Sequence, residues 1–241
     1  MFISYSLYIN KIQKNISIWK LQYKDNHLLE SKDRLIKELK ENDLGCIVHL
    51  LQNEKAFIVG DVIIDYILNI KREKYHLHIY IQYNHINKIP SFDDCVEFLF
   101  TYINSNNIIS TSERNISDFC YCKVTGLFQK VIYIKTKKYI LTFFFIKPGN
   151  NKDIKTSVDN YSLLTTWRCW FDGYVLNCDF NDFYNMYKRI TYYTETARSI
   201  MTCYLTKTKL IGDMRSTVSK IDGMKLILDD DLMDSLSQKN I

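Results

Sequence analysis

The chain contains little proline and glycine, and it lacks the sequence signatures of several common protein classes. Seven glycines and two prolines in 241 residues exclude a collagen-like chain, a proline-rich linker protein and a glycine-rich low-complexity tract. No CxxC pair occurs among the seven cysteines, so a zinc ribbon is disfavoured and reduced core thiols are expected. The longest apolar run, around Tyr139–Ile146, falls well short of the roughly 18 residues that span a membrane, and no secretory signal pattern begins the chain. We therefore expect a soluble, cytoplasmic protein with no membrane partner.

The abundant residue types and the net charge further restrict what kind of protein this chain can be. A hydrophobic content of 46% is normal for a globular protein and excludes disorder over the whole chain. The net charge of +5 favours approach to a polyanion, although a dedicated nucleic-acid coat protein would carry far more. Asn, Ile, Lys and Tyr are heavily used, and their codons are AT-rich. The expected source is thus an AT-rich large DNA virus or a protist, and a viral source would place the protein in the host cytoplasm or the virion.

Hydrophobic periodicity predicts alternating helices and strands. The predicted helices cover 27–52 (with a break near Gly45), Val62–Leu68, a segment that Ser91 caps and that runs through Tyr102, and Asp182–Tyr204. The predicted strands are Lys55–Val59, Tyr75–Tyr83 with one apolar face, Leu127–Lys135 and Tyr139–Lys147, the last two as a hairpin, and a second hairpin turns at Asp172-Gly173. This order predicts an α+β or mixed α/β fold with one central sheet. The expected parts are an N-terminal helical extension (1–54), the α/β domain (55–205), and a helical C-terminal segment with an acidic tail (206–241).

Two segments suggest a family. Residues 56–68 join a strand to a helix through Gly60, and the half-buried strand Tyr75–Ile81 follows. This arrangement resembles the nucleotidyltransferase superfamily with the polymerase-beta-like core, and residues 166–173 look like a strand and turn found in nucleotidyltransferase-like proteins of giant DNA viruses. The resemblance covers about residues 55–205. It implies a glycine turn that approaches phosphates, an Asp-x-Asp pair on the next strand and a third carboxylate on a later strand, which together hold two Mg²⁺ ions.

The sequence departs from that pattern at each metal ligand. Asp61 follows Gly60 where the family has Gly or Ser, and a carboxylate there repels phosphate. His76 and His78 occupy the Asp-x-Asp positions, and neutral imidazole is a poor Mg²⁺ ligand. No Asp or Glu occurs from residue 119 to 152, the span in which the third carboxylate is expected. We therefore expect a non-catalytic pseudoenzyme without a cofactor, whose candidate nucleotide groove comprises Gly60, Asp61, His76 and His78.

The acid-free span also predicts a basic rim. Lysines alternate there with tyrosines, a pattern suited to phosphate backbones and unpaired bases. The candidate nucleic-acid ligands are Lys130, Lys135, Lys137, Lys138 and Lys147. The competing interpretation is a solvated hairpin whose lysines protect an edge strand. The expected partners are RNA, a nucleotide, or a viral or host protein.

Other interpretations remain open at this point. The chain could be an active nucleotidyltransferase that uses other acids, namely Asp61, Asp65 or Asp172, and only then would Mg²⁺ be a cofactor. It could instead be a structural or virion-associated protein without a ligand. His76 and His78 have the spacing of a Zn²⁺ pair if Cys120 or Cys122 supplied a further ligand, although a metal-free strand face is favoured. If both histidines face a groove, replacing both by Asp should leave the fold intact.

Overall fold

The computed structural model describes residues 2–82, 91–114, 128–146, 162, 164–192, 218 and 224–227. The described helices are α1 (Phe2–Glu41), α2 (Gly45–Asn53), α3 (Asp61–Ile67), α4 (Phe92–Phe100) and α5 (Phe180–Tyr187). The described strands are β1 (Ala56–Val59), β2 (Tyr75–Gln82), β3 (Ile108–Glu113), β4 (Phe128–Thr136), β5 (Tyr139–Ile146), β6 (Trp170–Phe171), β7 (Leu176–Asn177), β8 (Ile190–Tyr192) and β9 (Lys225–Ile227). The protein is thus of the α+β class, as the element order predicted.

A seven-stranded sheet forms the centre of the fold, in the order β3-β4-β5-β2-β1-β6-β7. The pair β2–β5 is parallel, and the other neighbours within this sheet are antiparallel. The parallel pair arises because the chain leaves the end of β2, crosses through α4 and the β3–β4 pair, and returns beside β2 as β5. Strands β8 and β9 pair in parallel as a separate small sheet.

The described helices all pack on one face of the large sheet, which we call the helix-covered face. Each of the five contributes side chains to a single core cluster with the alternate, inward-facing residues of the strands. In α1 the side chains from 13 to 23 are exposed, whereas Leu28, Leu35 and Leu39 recur on one side of the helix and are buried. The second half of α1 and all of α2 therefore belong to the same core as the sheet.

The opposite face of the sheet carries a second apolar cluster, and its described members are strand residues. Phe57, Tyr80, Phe144 and their neighbours on β4 are buried there, with edge-to-face ring contacts between Tyr80 and Phe57 at 5.5 Å and between Tyr80 and Phe144 at 5.2 Å. The prediction that β2 has only one apolar face is therefore wrong at Tyr80. Strand β5 is covered on both faces, since seven of its eight residues are buried.

Several local predictions are confirmed at the level of single residues. Ser91 caps α4 through a capping box, in which its hydroxyl accepts from the Asp94 backbone N–H and the Asp94 carboxylate accepts from the Ser91 N–H. Both hairpins form, β4–β5 and β6–β7, and the predicted helix break near Gly45 falls between α1 and α2. Strand β3 was not predicted, and β9 is a strand within the segment expected to be helical (206–241). Helix α1 begins well before residue 27, although within the expected helical extension (1–54).

The long helix predicted over Asp182–Tyr204 is wrong. Helix α5 ends at Tyr187, because Arg189 adopts a left-handed backbone conformation with φ 57°. Residues 190–192 then form β8, which pairs with β9 some 35 residues later. Long-range strand pairing therefore overrides the helical spacing of the aromatic residues in this segment.

The four cysteines in the described part of the chain are reduced, as expected. Cys46, Cys95, Cys169 and Cys178 are free, and all but Cys46 are buried. No helix in the described ranges has an apolar stretch long enough to cross a lipid bilayer. Cys120, Cys122, Lys147 and the acidic tail lie outside the described residues, as does most of the predicted C-terminal part.

Candidate functional site

The glycine turn lies directly beside the histidine strand. Strand β1 ends at Val59, and Gly60 precedes α3 with φ 87° and ψ −154°, a conformation that is essentially restricted to glycine. A Cβ atom at Gly60 would lie 3.5 Å from His78 Nδ1. Antiparallel pairing explains this proximity, because Val59 lies opposite His78. The structure thus brings Gly60 and His78 together.

Asp61 makes a side-chain contact that the sequence did not reveal. Its Oδ1 accepts a hydrogen bond of 2.9 Å from Trp167 Nε1, which comes from a short 3₁₀ turn just before β6. The carboxylate also lies in the first turn of α3, where the helix dipole favours a negative charge. Asp61 therefore helps to hold the segment before β6 against the glycine turn.

His76 and His78 point to the same face of β2 but differ in environment. His76 is exposed, whereas His78 is half-buried and its ring meets Phe144 edge-to-face at 5.6 Å. Burial, with a smaller contribution from His76, lowers the pKa of His78 to about 4. His78 is therefore a neutral imidazole at physiological pH. The two histidines therefore share a face but not an environment, because His78 packs against Phe144 of the second apolar cluster.

Strand β5 decides which side chain lies next to His78. The parallel register places Thr142 beside His78, so both side chains point to the same face, and Thr142 is only 3% exposed. The described strand residues on this face include no Asp or Glu. Within the described ranges, no three His, Cys, Asp or Glu side chains cluster in a way that could hold a metal ion.

The acids that an active enzyme could use instead, Asp61, Asp65 and Asp172, make structural contacts. Asp65 is 2% exposed and accepts two hydrogen bonds from the Arg72 guanidinium, at 2.5 and 2.7 Å. These hydrogen bonds, which Arg72 donates to Asp65, raise the pKa of Arg72 above its ordinary value. Asp172 Oδ1 accepts from the backbone N–H groups of Tyr174 and Val175 and so stabilises the β6–β7 turn. Asp61, as described above, accepts from an indole.

The structure does not bring the predicted rim lysines together. Lys130 points to the helix-covered face and pairs with Glu113, 3.2 Å away. Lys138 donates to Glu38 on α1 and lies near the rings of Tyr75 and Tyr139. Lys137 is exposed in the β4–β5 turn, and Lys135 is exposed on the same face as His76. Of the four predicted lysines that the structure describes, Lys135 is thus the one whose strand position places it on the histidine face.

Strand β3 adds a cation that the sequence did not indicate. Arg114 follows β3, is exposed, and places its guanidinium 4.7 Å from the centre of the Tyr133 ring. Tyr133 and Lys135 alternate along β4 on the same face as Thr142 and the histidines. That alternation was visible in the sequence, but the approach of Arg114 depends on β3, which the sequence did not predict. We call this set the basic strand surface: His76, His78, Arg114, Tyr133, Lys135 and Thr142.

Comparisons with known proteins name no relative. No protein-family profile matches the chain, and no curated protein is significantly similar to it in sequence. Chemically, the basic strand surface offers two exposed cations and the exposed His76 imidazole, with the half-buried rings of Tyr133 and His78 beside them. These groups suit the binding of a phosphate-bearing or aromatic ligand.

Proposed function

We propose that this chain is a non-catalytic, nucleotidyltransferase-like protein that binds RNA or a nucleotide at the basic strand surface. The observation that carries the proposal is the register of β2 and β5, which places Thr142 beside His78. In the superfamily that the sequence resembles, acidic residues of neighbouring strands hold the metal ions. Here the corresponding face carries imidazole and hydroxyl groups, which hold Mg²⁺ poorly.

The charges on the same surface support binding of a polyanion. Arg114 and Lys135 are exposed, and the described strand residues around them on this face are uncharged or basic. A phosphate at this surface would therefore meet attraction from two side chains, without a neighbouring carboxylate on these strands to oppose it. Glu113 contacts Lys130 on the helix-covered face and so lies on the other side of the sheet.

Tyr133 supplies a means of holding a base. The Arg114 guanidinium already lies over its ring, and guanidinium and base planes both stack on aromatic faces. Single-stranded RNA could thus place a base on the Tyr133–Arg114 pair while its phosphates approach Lys135. Recognition of this kind tolerates many sequences, because every base has a stacking face.

Fluorescence anisotropy with a labelled single-stranded RNA of about 12 nucleotides tests the proposal. The titration is repeated over a series of salt concentrations for the wild-type protein, Lys135→Glu and Tyr133→Ala. Lys37→Glu is the matched control, since Lys37 is 76% exposed on α1 and its replacement changes the net charge equally. Circular dichroism verifies that each variant is folded.

The expected results separate the alternatives. Lys135→Glu should weaken binding and lower the salt slope of log K by about 0.7, the share of one phosphate contact to a single strand. Tyr133→Ala should cost about 1–3 kcal/mol if one base stacks there. Lys37→Glu should bind nearly as the wild type does. Equal losses for Lys37→Glu and Lys135→Glu, or no wild-type binding at low salt, would overturn the proposal and favour a structural role.

A nucleotide-incorporation assay with Mg²⁺ or Mn²⁺ addresses the enzyme alternative. The non-catalytic assignment predicts no incorporation above that of a Gly60→Asp variant, in which both the turn and any approach to phosphate are disrupted. Incorporation by the wild-type protein that this variant lacks would show instead that the chain is an active nucleotidyltransferase.

A further inference from the structure

Two buried cysteines face each other across the β6–β7 hairpin. Trp170 pairs with Asn177, so the next positions outward along the two strands are Cys169 and Cys178. Their Sγ atoms are in contact at 2.8 Å as free thiols, and the residues are 1% and 6% exposed. Directly opposed residues of antiparallel strands have Cα atoms about 4.5–5.5 Å apart, within the range that a disulfide spans. The backbone therefore already holds this pair in a geometry that permits a disulfide.

Cys178 is the less buried of the two cysteines. A cleft of about 300 Å³ lies between α1 and the hairpin, and Cys178 forms part of its wall. Lys24, Lys32 and Asp25 line the same cleft, and Lys24 Nζ lies 3.6 Å from Asp25 Oδ1 and donates to the Cys178 carbonyl oxygen at 3.2 Å. The two lysines outnumber the one acid in this wall, which favours the approach of an anionic reagent. Cys178 is thus the cysteine nearer to a small anionic molecule that enters the cleft.

Cys169 lies behind Cys178 in a different environment. Burial raises the pKa of the Cys169 thiol well above its ordinary value, and Cys178, Asp182 and Asp179 reinforce the effect. Cys169 therefore stays protonated and is poorly suited to attack first. It is well placed to resolve a mixed disulfide on Cys178, because its sulfur is already in contact with that atom.

We propose that Cys169 and Cys178 form a reversible dithiol–disulfide pair that is oxidised by a small anionic disulfide, such as glutathione disulfide, entering the cleft. In the first step the Cys178 thiolate attacks one sulfur of the reagent, which forms a mixed disulfide and releases one glutathione thiolate. In the second step the sulfur of Cys169 attacks Cys178 Sγ and displaces the second glutathione, whose thiolate takes up the proton that the Cys169 thiol loses. The two electrons of the protein dithiol thereby reduce one disulfide reagent to two thiols.

The sequence makes the pair easy to assay. Trypsin cleaves after Arg168 and Lys188, and no Lys or Arg lies between them, so Cys169 and Cys178 fall in one peptide with no other cysteine. The native full-length chain is equilibrated with mixtures of reduced and oxidised glutathione, and free thiols are then alkylated with iodoacetamide. The protein is digested with trypsin, and the peptide masses are measured by mass spectrometry. The intrachain disulfide appears as a peptide that lacks both alkyl groups and two hydrogen atoms.

The variants test the order of attack. Cys169→Ser should accumulate glutathione on Cys178, because the resolving thiol is gone, whereas Cys178→Ser should leave Cys169 unmodified in the native protein. Cys95→Ser is the matched control, since Cys95 is buried elsewhere in the core. This variant should form the Cys169–Cys178 disulfide as the wild type does. A wild-type peptide that stays fully alkylated in excess glutathione disulfide would overturn the proposal. So would disulfides between separate chains, or equal glutathione incorporation at Cys169 in Cys178→Ser.

Discussion

The pH dependence of stability should depend on His78. This imidazole is half-buried against Phe144, and burial with the charge of His76 lowers its pKa from 6.5 to about 4. Between pH 6.5 and about pH 4, the unfolded chain therefore binds a proton at His78 that the folded protein does not bind. The favourable contribution of the neutral imidazole is complete above about pH 6.5 and is lost progressively as the pH falls towards 4.

The size of the effect follows from the two pKa values. Each pKa unit of difference corresponds to about 1.4 kcal/mol, so the full loss approaches about 3 kcal/mol at pH 4. At pH 5 the unfolded form is almost fully protonated and the folded form is largely neutral. The expected loss in the free energy of unfolding is then about 2 kcal/mol relative to pH 8.

Urea unfolding at pH 8 and pH 5 measures this term, with His78→Phe as the test variant. Phenylalanine keeps a ring against Phe144 and removes the titrating group. The variant should therefore lose about 2 kcal/mol less than the wild type between the two pH values. Carboxylates elsewhere titrate in both proteins and cancel in the comparison. His76→Phe is the matched control, because His76 lies on the same strand and face but is exposed.

Two results would refute this reasoning. His78→Phe could show the same pH dependence as the wild type, which would mean that His78 is protonated equally in the folded and unfolded states. His76→Phe could instead remove the larger share of the pH dependence, which would reverse the assigned environments. The environment of His78 also changes the expectation for the double replacement of His76 and His78 by Asp. The substitution at His78 should destabilise the fold, because it buries a carboxylate among aromatic rings.

Three further predictions concern stability and are measured by urea or thermal unfolding. Asp65→Ala should cost about 3–5 kcal/mol, since it leaves the Arg72 guanidinium without its buried carboxylate; a loss below about 1 kcal/mol would contradict this. Gly173→Ala should be more harmful than Gly60→Ala. Both positions have positive φ, but only at Gly173 would the new Cβ lie within 3.0 Å of other atoms, 2.7 Å from a side-chain carbon; equal losses would contradict the packing argument. Ser91→Ala should cost about 1 kcal/mol by removing the α4 cap, and an unchanged midpoint would contradict that role.

Local features of the fold were predictable because their causes are local. The Ser91 cap, the strand-glycine-helix unit around Gly60 and the two hairpins each depend on residues a few positions apart, and each is present in the structure. The helix predicted over 182–204 failed for the complementary reason. The backbone at Arg189 and the pairing of 190–192 with 225–227 are long-range choices that helical spacing cannot reveal.

The candidate site depended still more on tertiary contacts. Lys130, Lys135 and Lys138 look equivalent in the sequence, yet the pleat and the neighbouring acids direct Lys130 to Glu113 and Lys138 to Glu38, and leave Lys135 exposed. Arg114 reaches Tyr133 only because β3 pairs with β4. A sequence lists these charges, but the register decides which of them share a face.

By itself, the sequence determined the α+β class, the glycine turn and the absence of acids from residue 119 to 152, since these follow from composition and short-range spacing. Only the tertiary structure decided that Thr142 lies beside His78, that His78 is held neutral, and that Cys169 meets Cys178. The physical reason is that burial, pKa and side-chain contact are set by neighbours distant in the chain, and strand register selects those neighbours.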